Sequence, residues 1–599
     1  MILHNLKFYR LIGIFLLGMF ILTICVPAQE TRLQTDTEEN MLQEKEMVQK
    51  IKISDVQFNR AFYHPGEPVQ ITISIETQFE QEENIKAKAK IFHLINEIEE
   101  IEETFMLEGS TQSIELSWSP PPVAPKGYGI DICIVSMTGE NLDCVSKAFD
   151  VLHTWTETPR YGFLSDFYSG RDDISHTMQE ITKYHINGLQ FYDWMYRHEQ
   201  FFTDEEPYRD LLNRELSLET VENLISAAHE RNIAAMPYTA IYAASIPFYE
   251  QHKDWALYGS DGKPLFFGDN FLVYMDPRPG SPWVKYLLDQ FDQVLDQVPF
   301  DGIHLDQYGD PKQAYDFSGN KFSLEQPLTE TINLTKKLVL EHHKDGAVVF
   351  NAVTNWPVES VAPSNQDFVY IEVWPPYIWF DDLHTLITQS QTLGAGKPVV
   401  LAAYIDPALE HNVRLMDAII FASGGGHIEL GESNAMLADA YFPQYKVMSP
   451  ELAEVIQCYY DFIVRYQDVI GPRSIDATSE FARNIQIDGI STSPSLRKNK
   501  VWPIVRQSEE FIAINLINLR GIESVEWAEA IESAPLPIAT TEVRLTDLEN
   551  EIEGVWFTSP DDKNISPIPL DFTQNDKNSI SFKIPSLKYW SLILVKIKG

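Results

Sequence analysis

The chain has 599 residues, 44% of them apolar and 22% charged. That is too long for one ordinary domain and too apolar for a disordered chain. Its 46 Lys and Arg stand against 87 Asp and Glu, a formal charge of −41, and such a field repels phosphate backbones, so nucleic acid is not expected as a partner.

Lys7 and Arg10 precede an uncharged run from Leu11 to Val26, and Val26-Pro27-Ala28 closes it. A basic start, a short apolar segment and a small residue at the cut form a signal-peptide pattern over 1–28. The run is short for a membrane span. The mature chain is therefore expected to have no membrane span and to be extracellular and secreted, with anchoring at the cell surface through the N-terminus as the alternative. Residues 29–50 are polar and charged without periodicity and read as a flexible acidic spacer.

Residues 51–152 alternate like strands. Val69, Ile71, Ile73 and Ile75 share one face, and Pro65-Gly66 and Lys126-Gly127 are turn signals. About seven short strands in this span suggest an immunoglobulin-like β-sandwich. Of the four cysteines, too few for a disulfide framework or a Cys-rich metal site, Cys133 and Cys144 flank the turn signal Thr138-Gly139-Glu140-Asn141. A hairpin there brings them face to face, and a disulfide and two unpaired buried thiols are both open.

From Tyr161 short apolar runs alternate with amphipathic helical patterns. The candidate strands are 161–167, 188–194, 234–238, 302–306, 347–352, 368–373, 398–404 and 425–430. The clearest helix starts at Ser281-Pro282, an N-cap followed by proline at the first helical position, and puts Val284, Leu287, Leu288, Phe291, Val294 and Leu295 on one face. This repeat predicts a catalytic (β/α)8 TIM barrel over 153–473. The competing open doubly wound sheet lacks its glycine-rich phosphate loop after the first strand. From 474 to 599 the runs at 502–505, 511–516, 579–584 and 590–595 read as strands of a C-terminal β-sandwich. The expected fold class is thus multidomain, a central barrel between two β-sandwiches.

Chemistry on a barrel sits at the C-terminal strand ends. Those ends carry Gln190, Tyr192, Asp193 and Trp194, then Tyr238, His304 and Asp306, then Asn351, Glu372 and Trp374, and finally His427 and Glu429. Carboxylates, amides and aromatic rings suit carbohydrate, whose hydroxyls take hydrogen bonds and whose C–H faces lie on rings. The set offers no metal-ligand cluster and no Ser-His-Asp motif, so neither a metal nor a cofactor is expected. Asp306 and Glu372 end two buried strands with one strand between them, which suits the two carboxyl groups of a retaining glycosidase. The residues alone do not say which is nucleophile and which is acid/base. Asp193 either binds sugar or pairs with Arg197 four residues on. Glu429 and Glu432 either bind a hydroxyl or shape the last loop, and Asp276 reads as a turn residue. Trp255, Trp356 and Trp379 lie on loops, where stacking on sugar competes with packing.

At these residues the sequence resembles glycoside hydrolase family 66, which contains endo-dextranases and cycloisomaltooligosaccharide glucanotransferases. The resemblance is carried by Asn187-Gly188-Leu189-Gln190-Phe191-Tyr192-Asp193-Trp194, Ala234-Ala235-Met236-Pro237-Tyr238 and Phe300-Asp301-Gly302-Ile303-His304-Leu305-Asp306-Gln307-Tyr308-Gly309. Ile371-Glu372-Val373-Trp374 and Gly425-Gly426-His427-Ile428-Glu429-Leu430-Gly431 complete it. It implies that Asp306 is the nucleophile and Glu372 the acid/base. It implies that Tyr192 and Asp193 hold the glucosyl unit whose bond breaks. It also implies that the substrate is α-1,6-glucan (dextran), cut internally with retention to isomaltooligosaccharides. Cyclising members carry an extra domain in a late barrel loop, whereas here the connection after strand 7 is only about residues 405–412. Hydrolysis is therefore expected, with the glucanotransferase and a non-catalytic glycan-binding protein as alternatives. A monomer is expected.

Overall fold

The computed structural model describes residues 51–78, 83–107, 109–576 and 578–598. The expected signal peptide and acidic spacer lie outside the described residues.

The N-terminal region forms two antiparallel sheets. One joins Ile51–Phe58, Val69–Thr77 and Thr111–Trp118; the other joins Asn96–Leu107, Glu83–His93, Lys126–Ser136 and Asn141–Val151. The expected alternation sets the burial: Val69, Ile71, Ile73 and Ile75 are buried, while Gln70, Thr72 and Ser74 between them are half-exposed. Cys133 lies opposite Cys144 in the last hairpin. The two are joined in a disulfide, which settles the open alternative.

The central region is a nearly closed eight-stranded parallel sheet whose order follows the chain. Its strands are β1 (Tyr161–Leu164), β2 (Gly188–Phe191), β3 (Ala234–Ala240), β4 (Gly302–Asp306), β5 (Ala347–Asn351), β6 (Phe368–Glu372), β7 (Val399–Ala402) and β8 (Gly426–His427). The Phe163 N–H donates to the Leu430 carbonyl at 3.0 Å and draws the last strand segment to the first. All eight expected strands form. Six stop short of their expected C-terminal ends: those ending at Asn351, Glu372 and Ala402 by one or two residues, and those ending at Leu164, Phe191 and His427 by three.

Seven helices serve as landmarks outside the sheet: α1 (Ile174–Lys183), α2 (Leu218–His229), α3 (Pro282–Gln297), α4 (Glu325–His342), α5 (Phe380–Leu393), α6 (Glu410–Ala422) and α7 (Pro450–Arg465). The cap of α3 forms as its sequence dictates, with the Ser281 hydroxyl accepting from the Val284 N–H at 3.1 Å. Val284, Leu287, Phe291, Val294 and Leu295 then bury against the barrel, and Leu288 is half-buried at the edge of that face. No helix among the described residues is long and apolar enough to cross a membrane.

The C-terminal region contributes a six-stranded and a four-stranded antiparallel sheet. Val505, Ile514 and Ile593 of the first share one apolar core with Val543, Leu545 and Ile580 of the second. A short helix, Thr478–Phe481, and the 3-10 turn Ala482–Asn484 that follows it lie among the strands of this segment. Both flanking regions are tied to the barrel by buried polar side chains. Arg160 Nη1 and Nη2 donate to the Asp150 carboxylate at 2.9 and 3.1 Å. Arg506 Nη1 donates to the Ser423 carbonyl at 2.7 Å. A buried guanidinium is costly unless every donor is used, so these contacts hold the regions in fixed positions.

Candidate active site

β4 and β6 are each five buried residues ending on a carboxylate, Asp306 and Glu372. Gly302 opens β4 because a Cβ there would lie 1.9 Å from the Ala347 carbonyl oxygen. Only glycine lets β4 lie this close to β5. The strand between the two carboxylates, β5, ends in Asn351.

Asn351 joins the pair. Its Nδ2 donates to Asp306 Oδ1 at 2.7 Å and to Glu372 Oε2 at 2.9 Å. The two hydrogens of an amide NH2 diverge by about 120°, so these oxygens stand about 5 Å apart. Each carboxylate takes a second donor from a tyrosine. Tyr238 OH donates to Asp306 Oδ2 at 2.6 Å, and Tyr404 OH donates to Glu372 Oε1 at 2.9 Å. Burial drives both phenols far above their usual range, so they remain neutral donors. Burial also raises both carboxyl groups; for Asp306 the charge of Glu372 adds to the rise, and the hydrogen bonds oppose it. Two carboxyls so placed favour holding one proton between them.

The pair faces a cleft of about 570 Å³ at the C-terminal strand ends. The profile of glycosyl hydrolase family 66 matches residues 58–594. The chain belongs to this family. It is a glycoside hydrolase by membership.

This family 66 chain is 27% identical to a cycloisomaltooligosaccharide glucanotransferase of Niallia circulans, over 91% of this chain and 72% of that one. It is 22% identical to a dextranase of Streptococcus salivarius, over 78% of this chain and 67% of that one. Its fold is similar to that of a Paenibacillus sp. cycloisomaltooligosaccharide glucanotransferase complexed with cycloisomaltoheptaose. The TM-score is 0.85 and the identity 24%, over 91% of this chain and 99% of that one.

Of the residues singled out in the sequence, Asp306, Glu372, Gln190, Tyr192, Asp193, Tyr238, His304, Asn351 and Trp374 all line the cleft. Gln190 Oε1 and Asn351 Oδ1 are buried without a hydrogen-bond partner, which leaves two acceptors there. Asp193 pairs with Arg214 at 3.7 Å rather than with Arg197, whose guanidinium lies over Tyr196. Burial pushes the Asp193 carboxyl up to about 7 against the pull of Arg214. His304 is stacked between Tyr161 and Tyr238, and burial holds its ring down at about 3, so it is a neutral part of the cleft floor.

Trp194 and Glu429 do not line the cleft, contrary to expectation. β2 ends at Phe191, and Asp193 at φ 50° turns the chain out of the sheet. Trp194 then packs fully buried against Phe201 and Phe300. In the β8 segment it is Ile428 that joins the apolar cluster containing Tyr161, Met236, Tyr370 and Val400. Its neighbours His427 and Glu429 therefore face outward to α6 and α7, where Tyr460 OH donates to Glu429 Oε1 at 3.2 Å.

Glu432 shapes a loop, accepting from the Ser165 and Asp166 N–H groups and from Arg171. Asp276 is the turn residue expected, bonded to Arg278. The Trp255 ring packs tilted against His252, with centroids 4.1 Å apart, and Trp379 is exposed. The Trp356 carbonyl accepts from Gln307.

The sequence reading missed His198, Tyr308, Tyr404, Tyr441 and Phe442, which also line the cleft. Tyr404 was within reach, since it ends the apolar run of strand 7. Phe442, which stacks on Tyr192 at 4.3 Å, arrives on the long excursion after β8 and has no local signal.

Proposed function

We propose that the chain is a retaining endo-glycosidase that hydrolyses internal α-1,6-glucosidic bonds of dextran to isomaltooligosaccharides. The observation that carries this reading is the Asn351 bridge between Asp306 and Glu372. The resulting gap of about 5 Å fits the spacing of about 5–5.5 Å used by retaining enzymes and is too small for the water an inverting enzyme must seat.

Asp306 is the nucleophile in this reading. Tyr238 and Asn351 donate to it at 2.6 and 2.7 Å, and Asn351 and Tyr404 donate to Glu372 at 2.9 Å. These roles are the ones the resemblance to family 66 implies, and they require the shared proton to sit on Glu372 when substrate binds. An Asp306 oxygen forms a bond to the anomeric carbon as the bond to the leaving oxygen breaks, and Glu372 gives that oxygen its proton. Glu372, now ionised, takes a proton from water, whose oxygen bonds to the anomeric carbon and releases Asp306. Tyr192 and Asp193 hold the glucosyl unit being cut. Gln190, His304 and Trp374 complete its surroundings.

The dextranase relative supports the substrate. The connection from β7 to α6, residues 403–409, is short and carries no inserted domain, which supports hydrolysis. The alignment to the Niallia glucanotransferase runs over 709 positions, more than the 599 residues of this chain, so that relative has residues without counterparts here. A second reading, a cycloisomaltooligosaccharide glucanotransferase, is favoured by the fold likeness at a TM-score of 0.85. It uses the same covalent intermediate with a sugar hydroxyl in place of water.

We further propose that the flanking regions are β-sandwich domains at 51–152 and 474–599 around a barrel at 153–473, and that the protein works outside the cell as a monomer. The Cys133–Cys144 disulfide suits that oxidising location. Incubation with dextran, pullulan, starch and cellulose, followed by chromatography, tests the activity. Linear isomaltooligosaccharides from dextran alone are expected. Cyclic products would establish the second reading, and dextran recovered unchanged, with neither linear nor cyclic products, would overturn both.

A further inference from the structure

The cleft does not end at Glu372. A second cavity of about 450 Å³ adjoins it and shares four of its lining residues, Trp374, Tyr404, Asp439 and Ala440. Its far wall belongs to the C-terminal region, at Glu526, Trp527, Ala528 and Glu529. The catalytic carboxylate nearest to it is Glu372, through Tyr404 and through Trp374 two residues on.

The wall is fixed rather than laid loosely on the barrel. The Phe380 N–H donates to the Val525 carbonyl, and the Trp527 N–H donates to the Ile378 carbonyl, a strand-like pairing between two regions of the chain. Trp527 Nε1 donates to the Tyr377 carbonyl at 3.0 Å. From the other side, Asn412 Nδ2 donates to the Trp527 and Glu529 carbonyls at 2.9 and 2.7 Å, and Asn412 Oδ1 accepts from the Ile531 N–H. Asn412 is fully buried, so its amide is committed to holding this segment.

We infer that this second cavity is a binding site for the leaving part of the glucan, with residues 525–529 of the C-terminal region as its outer wall. The inference rests on the proposed function, because it takes Glu372 as the group that protonates the leaving oxygen. The sugar units beyond that oxygen must then lie on the Glu372 side, and the second cavity is the space there. Its chemistry fits a neutral sugar. Trp374, 39% exposed, offers an aromatic face, and Asp439 and Glu526 offer acceptors for hydroxyls. The same carboxylates repel anionic glycans. A rigid wall places these units without an ordering cost at binding.

The test compares dextran with α-isomaltosyl fluoride, whose single-atom leaving group does not reach the second cavity. Ala528 is exposed, and Ala528→Trp fills the cavity from its outer wall. The expected result is a fall of about tenfold in kcat/KM on dextran with the fluoride rate kept. Glu526→Ala, which removes an acceptor without filling space, should lower dextran turnover about threefold with the fluoride rate again kept. Dextran kinetics unchanged in both variants, or an equal fall on both substrates, overturns the inference. A wild-type protein that turns over the fluoride but responds in neither variant fails the inference alone. One that turns over neither substrate fails the proposed function and takes the inference with it.

Discussion

Two of the buried clusters of titratable groups on this barrel differ in the space they face: one opens to the cleft of about 570 Å³, the other only to a cavity of about 30 Å³ lined by His427 and Tyr460. Asp306 and Glu372 face inward at the strand ends, with Gln190 and Asn351 acceptors left free beside them. Asp417, His427 and Glu429 face outward between β8 and the helices α6 and α7. There His427 Nδ1 lies 3.0 Å from Asp417 Oδ1 and 3.1 Å from Glu429 Oε2, while its Nε2 lies 3.0 Å from the Ala403 carbonyl. With oxygen acceptors at both ring nitrogens, the imidazole is held as the cation. Burial alone would lower its pKa, but the charge of Glu429 and the hydrogen bond to Asp417 outweigh this and raise it to about 10. These three side chains also lie close enough together to hold a metal ion, but a doubly protonated ring has no lone pair to give one. Both clusters have displaced pKa values, so displacement does not tell them apart. Unspent acceptors do not separate them either, since Asp417 Oδ2 and Glu429 Oε2 lack hydrogen-bond partners as Gln190 Oε1 and Asn351 Oδ1 do; what separates them is a space that a substrate can enter.

That contrast can be broken by experiment. The largest effect is expected at the inward pair: Asp306→Asn should lower kcat on dextran on the order of 10⁴-fold while thermal stability stays at or above wild type. Activity within tenfold of wild type would remove Asp306 from the reaction. The outward cluster should show the opposite. His427→Gln leaves buried carboxylates without their cation and should cost about 3–5 kcal/mol of stability, read by denaturant unfolding, with kcat changed by less than about threefold at a temperature where the variant is folded. If kcat collapses in a folded His427→Gln protein, the two clusters are coupled and the contrast fails.

A smaller effect is expected from Tyr404→Phe. Removing a donor to the Glu372 carboxylate favours its protonated form, so the alkaline limb of the kcat profile should move to higher pH. A shift to lower pH would deny Glu372 the role of acid. The smallest effect concerns stability. His427 rises from 6.5 to about 10 on folding, and Asp417, driven by burial and then by the charge of Glu429, rises far above its ordinary 3.8. For both, the folded chain keeps protons that the unfolded chain has released. The His427 contribution is therefore complete below pH 6.5 and declines as pH rises toward 10. Melting temperature should fall across that window, and His427→Gln should flatten the slope.

Much of this was legible in sequence because parallel barrel strands are buried on both faces and read as apolar runs. A carboxylate that ends such a run, as Asp306 and Glu372 do, stands out. The errors came from direction. Trp194 shares the parity of Gln190 and Tyr192, but the left-handed turn at Asp193 ends the strand before parity can apply. Glu429 fails on parity itself: Ile428 points inward, so its neighbours cannot. Tyr441, Phe442 and the 525–529 wall had no local signature. They reach the cleft through tertiary packing, as the pairing of Trp379 with Glu526 shows.

The most direct test is covalent trapping. Incubation with 5-fluoro-α-isomaltosyl fluoride slows release of a glycosyl-enzyme more than its formation, and peptide mass spectrometry then locates the sugar. The expected result is one fluoroglycosyl unit on the peptide containing Asp306, lost in Asp306→Asn. Attachment at Glu372, or turnover of the reagent to the inverted sugar with no adduct, would contradict the assignment.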